Sequence, residues 1–101
     1  MQNLRIASYK ISQGTFPEVA DAVKEGLVKI FKNEPGFLSY GLADTGNSTC
    51  VSVSAWENHD QAEDASLVAA TWVREHLAER VELRSNQVGD LAFFESMPAR
   101  V

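Results

Sequence analysis

The sequence predicts an α+β domain of the ferredoxin-like, split βαβ class, with a four-stranded antiparallel sheet and two helices on one face. Short runs of β type and two segments of helical periodicity follow one another in the order β-α-β-β-α-β. The 101 residues leave no room for a second core, so we expect one domain, 1–101. The third observation is that the strands carry apolar residues on both faces. Two helices can cover only one face of such a sheet, so the other apolar face is left uncovered.

The first strand and the first helix are predicted from periodicity and a capping box. Residues 4–11 form the strand, with apolar side chains on both faces. Thr15 and Glu18 have the spacing of a capping box, in which a hydroxyl and a carboxylate satisfy the first amides of a helix. Apolar residues then recur at helical spacing: Val19, Val23, Leu27 and Ile30. Pro35-Gly36 is predicted to end this helix.

Two alternating runs, 37–44 and 49–56, predict a β-hairpin with a turn centred on Gly46-Asn47. This centre pairs Tyr40 with Val53, so that large residues meet large ones. The other face then collects small side chains: Ser39, Gly41, Ala43, Cys50, Ser52 and Ser54. If these point at the helices, the missing side-chain volume leaves room for a ligand. The alternative is that small residues let the helices pack closely.

The second helix is predicted to begin near Asn58 or Asp60, each followed three residues later by a capping partner. Its inner stripe follows helical spacing: Ala62, Ala65, Ala69, Trp72, Val73, His76 and Leu77. A looser segment, 82–88, leads to a last predicted strand, 90–95. Residues 96–101 are expected to form a tail.

Composition excludes several classes of partner. Nine basic and fourteen acidic residues give a net charge of −5, and without a basic cluster we expect no nucleic-acid binding. No apolar run approaches the roughly 20 residues needed to cross a bilayer, so we expect no membrane association. The first residues lack an export signal, and the single Cys50 has no partner for an internal disulfide. These features predict a cytoplasmic protein.

No strong catalytic motif is present. The glycines are isolated, which excludes the glycine-rich loops that bind dinucleotides or phosphates. His59 and His76 would lie roughly 25 Å apart along the second helix, at about 1.5 Å per residue, and cannot share a metal. Cys50 is interpreted as a small buried residue, because reactive thiols need exposed, electropositive surroundings. We therefore expect no metal site.

One side of the second helix is the candidate site. Trp72, His76 and Arg80 are spaced four residues apart and would stack along that side. An indole, an imidazole and a guanidinium could together hold an aromatic acid or a phenol, with the imidazole as acid or base. The alternative interpretation makes Trp72 core, His76 half-exposed and Arg80 solvated. Three ring-bearing strand positions are candidates either for substrate contact or for the core: Tyr9, Tyr40 and Trp56.

The sheet face that the helices leave uncovered predicts a homodimer. An apolar sheet face in water exceeds the exposed patches that monomers usually carry. Two copies could cover it by packing their sheets face to face.

Four short motifs carry a family resemblance: Pro35-Gly36-Phe37, Ser52-Val53-Ser54-Ala55-Trp56-Glu57, Ala62-Glu63 and Trp72-Val73-Arg74-Glu75-His76-Leu77. With these, the chain resembles the antibiotic biosynthesis monooxygenase family of dimeric α/β barrels along nearly its whole length. The resemblance implies a dimer with a cavity between helices and sheet in each subunit. It also implies members that oxidise polycyclic phenols or anthrones with O₂, using no metal and no flavin.

The expected function is therefore that of a cofactor-independent monooxygenase or quinol oxidase acting on a small aromatic substrate. Trp72 would stack on the substrate, His76 would act as a base or hydrogen-bond partner, and Arg80 would hold an acidic group. One alternative is a non-catalytic dimeric binding module of the stress-response type.

A second alternative is haem binding or degradation, which a branch of the resembled family performs. That branch carries an asparagine in strand one, where this chain has Ser8 and Tyr9. It carries a tryptophan early in helix two, where Ala65 and Ser66 stand, and only His76 matches. These departures argue against haem degradation.

Overall fold

The computed structural model describes residues 1–95 and confirms the predicted fold class. Its elements follow one another along the chain: β1 Asn3–Ile11, α1 Phe16–Glu25, α2 Leu27–Lys32, β2 Phe37–Gly46, β3 Thr49–Trp56, α3 His59–His76 and β4 Val81–Asp90. The four strands form one antiparallel sheet in the order β2-β3-β1-β4. The helices pack on one face of it, and none of them within residues 1–95 is long and apolar enough to cross a membrane.

Both predicted helix starts are capped by side chains. Thr15 accepts a hydrogen bond from the Glu18 amide at 3.4 Å, and Asn58 accepts one from the Gln61 amide at 2.9 Å. Such caps satisfy amides that have no partner within the helix. The capping residues therefore fix where α1 and α3 begin.

The predicted first helix is divided at Gly26 into α1 and α2. The reason is the ring of Trp72, which lies against the backbone of Gly26. A Cβ added to Gly26 would stand 2.5 Å from the indole Cζ2. Only glycine leaves enough space for this contact, which joins the α1–α2 junction to α3.

The hairpin forms where it was predicted, but its register differs by one residue. Asn47 and Ser48 form the turn with φ values of 50° and 58°, the two consecutive positive angles of a type I′ turn. The turn lies one residue later than predicted, so that Gly46 pairs with Thr49. An irregularity between Asp44 and Gly46 then shifts the ladder by one residue, and Tyr40 pairs with Ser54, not with Val53 as predicted. Because a shift of one residue exchanges the faces of a strand, the predicted face of small residues is divided. Its β3 members, Cys50, Ser52 and Ser54, are buried beneath the helices, while its β2 members, Ser39, Gly41 and Ala43, lie on the other side.

The last strand within residues 1–95 is β4, Val81–Asp90, so the predicted strand at 90–95 is wrong. β4 pairs only with β1 and forms one edge of the sheet. Most of its side chains are exposed, and this edge position explains the polar sequence that was predicted as a looser segment. Residues 91–95 belong to no strand, and the expected tail, 96–101, lies outside the described residues.

The core lies between the sheet and the helices. Buried alanines on α3 let this helix approach the sheet closely: Ala62, Ala65 and Ala69. At one end, Phe31 packs edge-on against Trp56 with ring centroids 5.1 Å apart. Edge-to-face pairs of this kind are favourable because the positive edge of one ring meets the negative face of the other.

The sheet surface that faces away from the helices is called the outer face and is largely apolar. It includes five aliphatic residues: Leu4, Ile6, Leu38, Val51 and Val53. Ile6 is 36% exposed and Leu38 42% exposed. The structure therefore leaves uncovered the face that the sequence predicted to need a partner.

Candidate active site

A buried arginine on β1 is the most unusual feature of the core. Strand alternation places Arg5 on the helix-facing side of β1, together with Ala7 and Tyr9, and it is only 2% exposed. Its Nε donates to the Ser66 hydroxyl at 3.1 Å, and its Nη2 donates to the Tyr9 hydroxyl at 3.5 Å. Among residues 1–95, no acidic side chain forms an ion pair with it. Arg5 is thus a buried charge whose partners are neutral hydroxyls.

Arg5 lies at the wall of an open cleft between α3 and the β1–β4 edge of the sheet. This Arg5 cleft has a volume of about 370 Å³, within the range of about 300–1,000 Å³ that is common for small-molecule sites. Its polar residues are Arg5, Tyr9, Ser66, Arg74 and Asn86, and its apolar ones are Ala70, Val73, Ala78, Val81 and Leu83. The cleft therefore offers apolar walls to a ring and hydrogen-bonding groups to polar substituents.

Hydrogen bonds hold the Arg5 side chain in place from the α3 side. The Ser66 hydroxyl donates to the Ala62 carbonyl at 3.4 Å, which leaves its oxygen free to accept. The same oxygen accepts a hydrogen bond from Arg5 Nε and another, at 3.1 Å, from the side-chain Nδ2 of Asn86. Ser66 therefore links α3, β1 and β4 behind the guanidinium and fixes its orientation.

Tyr9 stands between the cleft and a small inner cavity. Together with Val73 and Val81, its ring lines both spaces and separates them. The inner cavity has a volume of only about 20 Å³, which is enough for about one water molecule. A ligand larger than a water molecule therefore has space in the Arg5 cleft and not in this inner cavity.

The inner cavity holds the groups whose ionisation the fold disfavours. Tyr40 and Cys50 both line it. Burial raises the pKa of the Tyr40 phenol to about 12, against a smaller opposing effect of the hydrogen bond to Ser52. Burial, followed by the charge of Asp44, also raises the pKa of the Cys50 thiol. Both groups stay protonated near neutral pH, so neither Tyr40 nor Cys50 supplies an anion for nucleophilic chemistry.

Trp72 and His76 lie together but on a different surface. Their ring centroids are 5.1 Å apart at an interplanar angle of 31°. Trp72 is buried, whereas His76 is exposed and does not belong to the inner stripe in which it was predicted. Both line an open groove of about 410 Å³ between α2 and α3, away from the sheet. This arrangement is the α2–α3 groove, and it shares no lining residue with the Arg5 cleft.

Arg80 does not continue the side of the helix that carries Trp72 and His76, contrary to the prediction. α3 ends at His76, and Leu77 is its C-cap. Arg80 follows in the connection to β4, where its carbonyl accepts from the Ser12 amide at 2.6 Å and its side chain is exposed. The helical spacing of four residues no longer applies once the helix has ended.

Trp56 is part of the core. It is 1% exposed, and its Nε1 donates to the Ser54 hydroxyl at 2.9 Å. Of the six residues singled out by the sequence, the structure therefore brings Tyr9 and Tyr40 together at the inner cavity, and Trp72 and His76 at the groove. Only Tyr9 also reaches the cleft.

The burial of Arg5 was not predicted from the sequence, although a signal was present. Arg5 is in phase with Ala7, Tyr9 and Ile11, which alternation assigns to one face of the strand. A charged residue in phase with the buried positions of a strand is seldom buried unless it is paired. The position of Arg5 in the strand alternation therefore marks it as a candidate site residue.

Comparison with known protein families shows which of the candidate site residues lie in a segment shared with a family. The sequence pattern of the family described as antibiotic biosynthesis monooxygenase matches residues 4–66. The chain belongs to this family. The matched antibiotic biosynthesis monooxygenase segment contains Arg5, Tyr9 and Ser66 and ends before Trp72 and His76. The comparison with curated proteins gives no significant match.

Solved structures share the fold at low sequence identity. MupZ from Pseudomonas fluorescens aligns with a TM-score of 0.70 and 15% identity, covering 86% of this chain and 69% of that one. A mutant form of SnoaB, a cofactor-independent oxygenase from Streptomyces nogalater, aligns at 0.68 and 16% identity, covering 97% and 98%. An antibiotic biosynthesis monooxygenase described as putative, from Nitrosomonas europaea, gives 0.68 and 15%, covering 91% of each chain. Family membership supports a monooxygenase-type role at the level of the antibiotic biosynthesis monooxygenase family.

Proposed function

We propose that this protein oxidises a small aromatic phenol, anthrone or quinol with O₂ in the Arg5 cleft, without a bound metal or flavin. The observation that carries the proposal is the Tyr9 hydroxyl at the wall of a cleft of suitable size, which is lined by both apolar and polar side chains. Because its oxygen accepts from Arg5, the hydroxyl keeps its own proton for a ligand. Among residues 1–95, no group of three or more His, Cys, Asp or Glu side chains could hold a metal ion.

The chemistry asks little of the protein beyond binding and electrostatics. A deprotonated phenol or anthrone is electron-rich and passes electrons to O₂ itself. In the anthrone case the methylene carbon loses two hydrogens and gains one oxygen atom, while the other oxygen atom leaves as water. In the quinol case two hydrogens pass to O₂, which gives a quinone and hydrogen peroxide.

Tyr9 would act on the reacting oxygen of the substrate. A hydrogen bond from its hydroxyl favours the anionic form of a bound phenol or enol, since a donor stabilises developing negative charge. The apolar side chains Val73, Val81 and Leu83 would orient the ring and exclude water around it. The proton of the substrate can leave to solvent through the open mouth of the cleft.

The test is oxygen uptake by metal-stripped protein with a panel of anthrones, naphthols and hydroquinones. We expect uptake above the uncatalysed rate and unaffected by chelator. Tyr9→Phe should lower kcat by about tenfold or more, the scale on which single oxyanion donors act. No uptake by folded protein across the panel would instead favour a non-catalytic binding module.

The same assay separates the two candidate surfaces. The alternative proposal keeps Trp72 as the stacking group and His76 as the base, in the α2–α3 groove. The double variant Trp72→Phe with His76→Gln tests it directly. Loss of uptake in the double variant but not in Tyr9→Phe would move the site to the groove.

A further inference from the structure

We propose that the ligand of the Arg5 cleft carries a carboxylate that binds the Arg5 guanidinium, so that the substrate class is an aromatic hydroxy acid. This inference deepens the proposed function and rests on the same cleft. It starts from the burial of Arg5, which is 2% exposed and hydrogen-bonded only to the neutral hydroxyls of Ser66 and Tyr9 among the described residues.

A guanidinium cannot shed its charge, so its burial must be compensated by other groups. Arg5 differs in this respect from a structural arginine, which is paired with a carboxylate of its own chain. Neutral hydroxyls satisfy two of its N–H groups and leave the positive charge without a counter-ion. Because Arg5 lines an open cleft, an anionic ligand can supply the missing partner.

The charge of the cleft is opposite to that of the whole chain. The protein carries a net charge of −5. Among the residues described, however, the cleft is lined by two arginines, Arg5 and Arg74, and by no carboxylate. A concave surface lined by one sign of charge concentrates ligands of the other sign. The distribution of charge therefore favours an anion in this cleft and opposes one elsewhere on the surface.

The geometry of Arg5 favours a carboxylate among anions. Its Nε is held by Ser66 and one side of its Nη2 by Tyr9, which fixes the plane of the fork. Its other Nη N–H groups have no hydrogen-bond partner among the side chains of residues 1–95, and a carboxylate can accept two parallel hydrogen bonds from such a fork. Val73, Leu83 and Tyr9 line the same cleft as Arg5, so a ligand whose carboxylate binds Arg5 has apolar side chains and a hydroxyl donor beside it.

The experiment compares an acid with its neutral analogue on the full chain. The probes are 1-hydroxy-2-naphthoate and 1-hydroxy-2-naphthamide, which differ in charge and hardly in shape, and affinities are measured by calorimetry. We expect the acid to bind about tenfold or more tightly than the amide, as for charge-assisted hydrogen bonds. Equal affinities of the wild-type protein for the two probes would overturn the proposal without any variant.

Variants then assign the preference to Arg5. Arg5→Met removes the charge with little change of volume, and it should abolish the preference for the acid. The matched control is Arg84→Gln, which removes one positive charge from an exposed position on β4 and should retain the preference. A preference that survives in Arg5→Met, or that is lost equally in Arg84→Gln, would also overturn the proposal.

The experiments can reject either proposal independently of the other. Acid-selective binding that depends on Arg5, with no oxygen uptake, supports the carboxylate site and rejects the oxygenase. Oxygen uptake with neutral phenols, with no preference for the acid, rejects the carboxylate site and supports the oxygenase.

Discussion

At the scale of the residue, burial of Tyr40 links ionisation to stability. Its phenol has a pKa of about 12 in the folded chain, whereas an unfolded chain has a tyrosine pKa of about 10. Between these values the unfolded state has released the proton that the folded state still holds. The free energy of unfolding therefore decreases as pH rises through this window, by at most about 1.4 kcal/mol per pH unit.

We expect Tyr40→Phe to remove this part of the pH dependence. Urea unfolding at pH 9, 10 and 11 would measure the free energy of unfolding of both proteins. The difference between them should change steadily across the series, because only the wild-type protein has the buried phenol. A constant difference would show that Tyr40 ionises as freely in the folded chain as in the unfolded one.

The sequence predicted correctly whether a side chain is buried where burial follows hydrophobicity, and incorrectly where it does not. Cys50 is buried, as it was interpreted, because a small apolar side chain suits an inner strand position. Arg5 was missed because hydrophobicity assigns charged residues to the surface, although strand phase placed it inside. His76 was placed on the inner stripe by spacing alone, yet the width of the buried stripe depends on neighbouring elements that a single helix does not encode.

At the scale of the element, local signals fixed the helix starts but not the strand details. Thr15 and Asn58 act within their own turns, so the sequence was sufficient to locate α1 and α3. Gly46, Asn47 and Ser48 all have positive φ, and the register of the hairpin depends on the irregularity between Asp44 and Gly46 as well as on the turn. The alternation of large and small residues gave no sign of that irregularity. β4 was misplaced because an exposed edge strand has no apolar alternation to detect.

Gly26 is expected to tolerate no larger side chain. In Gly26→Ala the new methyl group would overlap the Trp72 ring, and over-packing of this kind costs about 1–3 kcal/mol. Urea denaturation should show a lower midpoint with an unchanged slope. Gly89→Ala is the matched control, since nothing lies within 4 Å of its added Cβ. Equal midpoints for the two variants would mean that Trp72 moves aside at little cost.

Ser48 is expected to be replaceable by glycine with a gain in stability. Its φ of 58° lies in the left-handed region, which costs a residue with a Cβ about 1 kcal/mol or more. After the larger entropy of glycine in the unfolded chain is subtracted, Ser48→Gly should raise stability by about 0.5 kcal/mol. Thermal unfolding would measure this, with Ser48→Ala as a control that keeps the Cβ and should bring no gain.

At the scale of the whole molecule, the outer face predicts self-association. Ile6 and Val53 are paired neighbours on it, and contiguous apolar surface of this kind marks an interaction site. We expect sedimentation at micromolar concentration to give twice the mass of one chain. Ile6→Lys should shift the protein toward the monomer, because burial of an unpaired ammonium opposes association. A monomeric wild-type protein would leave the outer face without an explanation.

The place of β1 in the sheet determines the order in which the chain can complete its fold. β1 precedes both of its partners along the chain, and they follow much later, at Thr49–Trp56 and Val81–Asp90. Pairing of distant segments requires closure of long loops, which slows folding compared with local hairpins. The β2–β3 hairpin can form on its own, whereas β1 has no strand to pair with until synthesis has passed Trp56. On the ribosome, the segment that carries Arg5 and Tyr9 therefore waits until Thr49–Trp56 has been made before its first partner strand is available.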